Sequence, residues 1–415
     1  MIIDIRPVKI NTREMCSVQD LRARWDYGYT VLLLCWFGWI AIYLCRSVLA
    51  PVLPVISGEF GMTHAQGGML ETAYLIGYVV VKIPAGVVAN RIGIKRTLVV
   101  GMVGYAISTA LNFLATGFLH LFALRFLIGL FQGVHLPLAN TLLSERFGDR
   151  QGRAIGFHES GPNVGNSIAY PLTVAIASAW GWRHAFLLLS LPAFALAGVT
   201  SVVLRDERRP GLATEMEQDG GSRTGLGGFL WFLAPLALAH AVYNLCLRSL
   251  LTFAPSFLVE FRGMTLGTAG FISMLMPAAG FAAKVSSGFV AERIGRRNVI
   301  CGATALSGAF ILALAHIAGE APLSVNFVAL GLVLYSFSPV IYASVTSGLP
   351  TRLKSIGLGA VTMTGNIVGA FSASLIGYLI DARGYQATLT IVSVTVIVAT
   401  AFIFASMSRE PPRAV

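Results

Sequence analysis

The chain has 415 residues, of which 55% are hydrophobic and only 12% are charged, about half the charged share of an average soluble domain. This composition excludes a soluble globular fold, because large soluble chains split into cores of limited size and bury less apolar surface. The net charge of +11 does not indicate a nucleic-acid partner, since the charged residues flank hydrophobic runs that require a lipid bilayer.

Residues 1–27 are polar and basic, so we predict a cytoplasmic tail and no cleavable signal peptide. Apolar runs follow, each long enough to cross about 30 Å of hydrocarbon as a helix. We therefore predict an all-α membrane protein with twelve transmembrane helices. The predicted spans, numbered in chain order, are 28–50, 65–85, 97–116, 119–141, 154–175, 184–204, 228–253, 266–287, 299–318, 323–347, 356–380 and 386–407.

The basic residues predict the orientation of these spans. Of the 30 lysines and arginines, 22 lie on the side of the N-terminus, three lie on the other side, and five lie within spans. Such a bias is typical of cytoplasmic loops. We therefore predict that both termini are cytoplasmic and that the protein lies in a bacterial inner membrane.

Residues 205–227 form the longest polar stretch between spans and lie near the middle of the chain. They are charged and rich in glycine, which is typical of a flexible linker. The predicted organisation is a tail (1–27), a six-helix N-terminal half (28–204), a cytoplasmic linker (205–227), a six-helix C-terminal half (228–407) and a cytoplasmic tail (408–415).

The two predicted halves resemble each other at an offset of 202 residues. Arg46 matches Arg248 and Lys82 matches Lys284 in the same register. Repeated halves predict a solute site between them, near the bilayer midplane, as in carriers that work by alternating access.

A repeated motif follows spans 2 and 8, with GVVANRIGIKR at 86–96 and GFVAERIGRR at 288–297. Over essentially its full length the chain resembles the major facilitator superfamily, which carries Gly-x-x-x-Asp-Arg-x-Gly-Arg-Arg loops at these places. The resemblance implies two pseudo-symmetric halves with cytoplasmic gating loops. Asn90 stands where the family usually has Asp, so the salt bridge inferred for that Asp is not expected here. The implied gating residues are Gly86, Arg91, Gly93, Arg96, Gly288, Arg293, Gly295 and Arg297.

Ionisable side chains within membrane spans are costly and are functional candidates by default. The embedded bases are Arg46, Lys82, Arg125, Arg248 and Lys284, and the clearly embedded acids are Glu71 and Glu159. Two acids cannot neutralise five bases, so we predict that the bases bind an anionic substrate. The alternative is that they pair with these acids, with backbone carbonyls or with helix C-termini. Arg125 alternatively braces the N-terminal half.

Helical spacing places aromatic and amide side chains beside these cations. Aromatic residues accompany Arg46 on span 1, an amide accompanies Arg248 on span 7, and a tyrosine shares a face with Lys82 on span 2. Such mixed faces are typical of a site for a small organic anion, and the alternative for the aromatic residues is packing. The residues added to the predicted site are Trp39, Tyr43, Tyr78 and Asn244.

Two anion-carrying branches of the superfamily resemble this chain. The organophosphate:phosphate antiporters have two arginines and a lysine that fall on Arg46, Arg248 and Lys82. The anion:cation symporters, which take sugar acids and other carboxylates, also match Arg46. Their two usual protonatable acids are replaced here by Cys45 and Gln132. Gln132 is included in the predicted substrate site.

Proton coupling therefore requires another group, and the candidates are Glu159, His158 and Glu71. We expect a monomeric secondary transporter of a small carboxylate, sugar acid or organophosphate that uses protons or a counter-anion, with no cofactor and no bound metal. The alternatives are an anion exchanger, a multidrug or neutral-solute exporter of the same fold, and a membrane enzyme or receptor. Surplus embedded cations disfavour a drug exporter, because cationic drugs require acidic pockets. No Walker loop or catalytic set indicates an enzyme.

Overall fold

The computed structural model describes residues 26–205, 229–350 and 353–407. The predicted linker and tails therefore lie almost entirely outside the described residues. Within these ranges the chain forms helices and no β-strand, because a helix satisfies its backbone hydrogen bonds within one membrane segment. The α-helices are α1 (Tyr27–Ser47), α2 (Leu49–Phe60), α3 (His64–Val80), α4 (Lys82–Ile92), α5 (Ile94–Ala110), α6 (Phe118–Gln132), α7 (His135–Phe147), α8 (Gln151–His158), α9 (Gly161–Trp180), α10 (Trp182–Val203), α11 (Leu230–Ser256), α12 (Leu266–Ile294), α13 (Arg296–His316), α14 (Glu320–Gly348) and α15 (Lys354–Ser406).

The prediction of an all-α membrane protein is confirmed. Among the described residues, nine helices are long and apolar enough to cross a membrane, or ten if the bent pair His64–Val80 and Pro84–Ile92 is one span. In α15, Gly384 has φ +75° and interrupts the helical backbone, where the sequence predicts the turn between spans 11 and 12. Predicted span 5 coincides with α9, and spans 11 and 12 both lie in α15. Helical structure is therefore present at each of the twelve predicted spans.

Four of the predicted spans, spans 1, 2, 4 and 5, are each divided into two α-helices. Span 2 bends by 53° between α3 and α4. Span 5 is divided, since α8 ends at His158 and α9 begins at Gly161. Pro162 lies in the first turn of α9, where its missing N–H removes no helical hydrogen bond. Such breaks occur in membrane helices where the backbone is buried in protein or lines a cavity.

Within the N-terminal half, glycines bring α3 and α6 into backbone contact. A Cβ atom added to Gly129 would lie 1.9 Å from the carbonyl oxygen of Tyr74, and one added to Gly77 would lie 2.2 Å from that of Phe126. Small residues of this kind allow close helix packing in membranes. The contact fixes α3, which carries Glu71, against α6.

The two predicted halves contact each other around the first turns of α3, which we call the His64 end of the bundle. Gly68 of α3 packs on the backbone of α15, where an added Cβ atom would lie 2.2 Å from the carbonyl oxygen of Ala373. The Tyr170 hydroxyl of α9 donates a hydrogen bond to the carbonyl oxygen of Leu251 in α11, at 2.7 Å. The halves are therefore closed at this end.

The opposite end of the bundle, which we call the Arg91 end, is more open. The side chain of Glu159 is 44% exposed and Tyr342 is 36% exposed, although both residues lie within predicted spans. In addition, of the two helices in span 1, α11 packs more on α2, which is nearer the His64 end, than on α1. The space between the halves therefore opens toward the Arg91 end.

We predict that Gly129→Ala destabilises the protein, because the added methyl group meets the backbone of Tyr74 and forces α3 from α6. Overpacking of this kind costs about 1–3 kcal/mol. The matched control is Gly198→Ala on α10, where an added Cβ atom meets nothing within 4 Å and alanine is the better helix former. Thermal unfolding in one detergent should give a lower midpoint for Gly129→Ala and an unchanged or higher midpoint for Gly198→Ala. Equal midpoints would contradict this packing.

Candidate functional site

Three arginine side chains from three helices converge on the carboxylate of Glu71. Arg46 of α1 forms a direct salt bridge with Glu71 Oε1 through its Nη2 atom. The Nη2 atom of Arg125 in α6 lies 3.6 Å from Glu71 Oε2. The Nη1 atom of Arg248 in α11 lies 4.0 Å from Glu71 Oε1. Because Arg248 belongs to the C-terminal half, this arginine cluster joins the two predicted halves.

The ring of Tyr74, which is not among the predicted site residues, lies under two of these arginines. The guanidinium carbon of Arg46 lies 4.3 Å from the ring centroid, and that of Arg125 lies 5.6 Å from it, which is within cation–π range. The Tyr74 hydroxyl donates to Gln132 Oε1 at 2.9 Å, and the amide of Gln132 donates to a backbone carbonyl of α1 at 3.2 Å. The sequence signal that indicates Tyr74 is its position three residues after Glu71, on the same face of the helix.

Arg125 also braces the N-terminal half. Its Nη1 atom donates to the carbonyl oxygen of Arg46 at 3.0 Å, and its side chain is only 3% exposed. The side chain of Arg248 is 17% exposed. Arg248 is therefore the arginine of the cluster that a solute reaches most easily, whereas Arg125 holds α1 against α6.

The arginine cluster carries more positive than negative charge. Three guanidinium groups face one carboxylate, and arginine does not lose its proton in proteins. Arg46 is 8% exposed and Glu71 is 7% exposed, so bulk water solvates them little, and a buried unpaired charge costs several kcal/mol. The surplus favours a further anion, and a guanidinium group binds carboxylate or phosphate with two hydrogen bonds.

A cavity beside the arginine cluster is lined by both halves. Its polar walls hold hydroxyl and amide groups, and the hydroxyl of Ser47 donates to the amide oxygen of Asn166. Such groups donate and accept hydrogen bonds, as the hydroxyl groups of a solute require. The uncharged polar residues of the lining are Tyr43, Ser47, Asn166, Tyr170 and Thr252.

The two lysines of the predicted site lie in a separate group toward the Arg91 end. Lys284 Nζ in α12 donates to the carbonyl oxygen of Glu159 at 3.3 Å. Lys82 Nζ lies 4.5 Å from the ring centroid of Tyr78. Because Lys82 follows Glu71 by eleven positions, roughly 16 Å of helical rise separates the two levels. The structure thus divides the five embedded cations into an arginine cluster and a lysine group.

The remaining predicted site residues lie on helices around the space between the halves. Trp39 stacks on His158, with ring centroids 5.6 Å apart, and the Nε2 atom of His158 lies 3.3 Å from that of the buried His135. These rings form an aromatic cluster inside the N-terminal half. Asn244 donates to a backbone carbonyl of its own helix at 3.0 Å, one turn before Arg248.

The predicted gating loops form the turns after α4 and α12. Gly93 has φ +94° and Gly295 has φ +87°, a backbone region that favours glycine. Arg91 and Arg293, which precede these glycines, are exposed. The Oδ1 atom of Asn90 is buried and has no hydrogen-bond partner among the described residues. The other predicted loop residues are Gly86 in α4, Arg96 in α5, Gly288 in α12 and Arg297 in α13.

Comparison with known proteins identifies relatives over most of the chain. The sequence matches the Major Facilitator Superfamily over residues 35–373 and 236–415. It is 26% identical to the hexuronate transporter of Bacillus subtilis (strain 168), over 85% of this chain and 88% of that protein. It is 24% identical to the D-galactonate transporter of Escherichia coli O6:H1, over 89% of this chain and 93% of that protein.

A solved structure shares the fold. The crystal structure of a bacterial homologue of the human lysosomal transporter Spinster, in an inward-facing and unoccupied conformation, superposes with a TM-score of 0.79. The match covers 92% of this chain and 97% of that chain at 17% sequence identity. At 17% sequence identity, the similarity between the two structures shows only that they share a fold.

We predict that Glu71→Gln lowers the free energy of unfolding by about 3–5 kcal/mol, because it leaves buried arginines without their carboxylate partner. The matched control is Glu159→Gln, whose side chain is 44% exposed and which should lose much less. Thermal unfolding of both purified variants at low salt and without added organic anions measures the difference. Similar losses for the two variants would show that Glu71 does not neutralise the cluster.

Proposed function

The chain belongs to the Major Facilitator Superfamily, and from this premise we propose that it is a secondary transporter of a small organic anion, with sugar acids as the favoured substrates. The observation that carries the proposal is the convergence of Arg46, Arg125 and Arg248 on the single carboxylate of Glu71. The resulting positive surplus lies beside a cavity between the halves. Membership of a transporter family also fits a protein that is not an enzyme.

The names of the relatives support this substrate class. Hexuronate and D-galactonate each combine a carboxylate with several hydroxyl groups. In this chain, the guanidinium groups suit a carboxylate. The phenol of Tyr43, the amide of Asn166 and the hydroxyl of Thr252 line the same cavity and suit hydroxyl groups.

We infer that Glu71 takes the place of the substrate carboxylate when the site is empty. An entering anion first meets Arg248, the most exposed arginine of the cluster, and then shares Arg46 with Glu71. Because Arg46 and Arg248 belong to different halves, the bound anion stabilises the conformation in which both arginines reach it. Rocking of the halves around this site then exposes the solute to either side of the membrane in turn.

For the orientation, we propose that the Arg91 end faces the cytoplasm of a bacterium, with both termini on that side of the inner membrane. The proposal rests on the bias of lysine and arginine toward that side. The conformation described here is then open to the cytoplasm and closed to the outside. We propose a monomer, since one chain supplies both faces of the site.

Proton coupling requires an acid whose surroundings change when the anion binds. Glu71 meets this condition, because the substrate carboxylate competes with it for Arg46. Glu159 and His158 are the second candidates, with His158 Nδ1 lying 4.0 Å from Glu159 Oε1. An exchanger that replaces the proton with a counter-anion is the alternative, since the same arginines bind either anion.

A multidrug or neutral-solute exporter of this fold is a weaker alternative. The charged groups that line the cavity beside the arginine cluster are three arginines and one glutamate. Their net positive charge repels a cationic drug, and a neutral solute does nothing to offset the desolvation of those arginines. Competition by neutral and cationic compounds in the uptake assay below distinguishes these classes.

We predict that Arg248→Gln raises the galactonate or galacturonate concentration needed for half-maximal uptake into proteoliposomes by about 10- to 100-fold, the usual effect of losing a hydrogen bond to a charged group. The control is Arg153→Gln, which makes the same charge change at an exposed position in α8 and should transport normally. The proposed site would be contradicted if the protein took up neither galactonate nor galacturonate. It would also be contradicted if both variants needed the same concentration for half-maximal uptake.

A further inference from the structure

At the His64 end, one histidine is held between two carboxylates. His64 Nε2 lies 2.7 Å from Glu260 Oε2, and His64 Nδ1 lies 2.7 Å from Asp381 Oδ1. Glu260 lies in the π-helical turn that follows α11, and Asp381 lies in α15. His64 is the first residue of α3. A residue of the N-terminal half therefore contacts two acids of the C-terminal half.

These contacts require one more proton than a neutral imidazole carries. An ionised carboxylate only accepts hydrogen bonds, and a neutral imidazole donates from only one of its two nitrogen atoms. With neutral His64, one of the two contacts would bring lone pairs on nitrogen and oxygen together at 2.7 Å. An additional proton makes both contacts hydrogen bonds, and these become charge-assisted.

The acceptor contacts of the two acids place this proton on the imidazole. Asp381 accepts hydrogen bonds from the backbone N–H groups of His64 and Ala65, at 2.9 and 2.8 Å. Glu260 Oε2 also accepts a hydrogen bond from the Tyr385 hydroxyl at 2.9 Å. Both acids therefore act as acceptors toward several donors, as an ionised carboxylate does. His64 is the group left to carry the positive charge.

We propose that His64, Glu260 and Asp381 form a proton-binding site that is assembled when the two halves close at this end. When the halves separate, water replaces both contacts, and a solvated histidine titrates near pH 6.5 and releases its proton at neutral pH. Closure at this end therefore takes up a proton, and by linkage a lower pH favours the closed conformation. This inference goes beyond the proposed function, because it holds whichever solute is carried.

Among the described residues, the other groups around His64 do not supply an alternative charge. The rings of Phe253 and Tyr385 lie 6.3 and 5.4 Å from the imidazole. Among cations on neighbouring segments, Arg262 donates to a backbone carbonyl at 2.5 Å, Arg183 pairs with a glutamate of α2 at 2.8 Å, and Arg383 is exposed in α15. Of these groups, histidine is the one whose ordinary titration falls between pH 5 and 8.

The test is the ratio of closed to open protein at the His64 end as a function of pH, in lipid nanodiscs without solute. Spin labels on Gly58→Cys and Ala382→Cys, which are exposed positions in the two halves, report the distance between them. Cys16 is replaced by serine, and the four described cysteines are buried. Above about pH 6.5, the closed-to-open ratio is expected to fall by up to tenfold per pH unit, as uptake of one proton requires.

The variant Glu260→Gln keeps the contact with His64 but removes the need for the additional proton. The glutamine amide donates to an unprotonated His64 Nε2 atom, so a neutral imidazole satisfies both contacts. The closed conformation should then persist at pH 8 and lose its dependence on pH. His64→Gln, which cannot carry the charge, should also lose the dependence. The control His120→Gln removes an imidazole that bonds Thr116 in its own half at 2.9 Å and should keep the full slope.

Two results would overturn the proposal. One is a closed-to-open ratio that does not change with pH in the protein with native His64. The other is a pH slope in both Glu260→Gln and His64→Gln that equals the slope of His120→Gln. These measurements use no solute. Their result therefore tests the proton-binding site even if the uptake assay identifies no sugar acid as a substrate.

Discussion

Near the centre of the bundle, side-chain nitrogen atoms of Arg46, Arg125 and Arg248 all lie within 4.0 Å of the Glu71 carboxylate. Neither lipid nor a packed protein interior solvates charge well, so these groups must compensate one another. This requirement brings α1, α3, α6 and α11 together at one point. The glycine contacts between α3 and α6 permit the approach, and the ring of Tyr74 fills the space beneath two of the guanidinium groups.

The contacts between the halves combine apolar packing, of α3 on α15 and of α9 on α12, with a few polar contacts. At the cluster, Arg248 faces Glu71, and at the His64 end an imidazole from one half faces acids from the other. Water can replace polar contacts of this kind when the halves separate, which suits a protein with two conformations.

The acid of the arginine cluster comes from a different helix than the family resemblance implies. At the positions where the anion:cation symporters carry acids, this chain has Cys45 and Gln132. The Gln132 amide bridges Tyr74 and α1, and the thiol of Cys45 lies 3.6 Å from a backbone carbonyl of α10. Both have neutral packing roles here. Glu71 of α3 supplies the negative charge, which is why we propose it as the group that couples anion and proton.

Much of the architecture follows from the sequence alone. Hydropathy determines where the chain crosses the membrane, because about 20 apolar residues are needed for each crossing. The excess of embedded bases over acids is likewise a property of composition. The family resemblance rests on local motifs such as GFVAERIGRR. Each of these signals is contained within a single helix or loop, so it does not depend on how the helices pack.

Only the tertiary structure decided which of these charges meet. Helical spacing placed Lys82 with Glu71 on one face of span 2, but the bend between α3 and α4 and the length of the helix separate them. The contacts of His64 join it to acids 196 and 317 residues away, and no local pattern encodes such distances. Pairing across the halves depends on how rigid helices pack, and hydropathy and spacing within one helix carry no information about that packing.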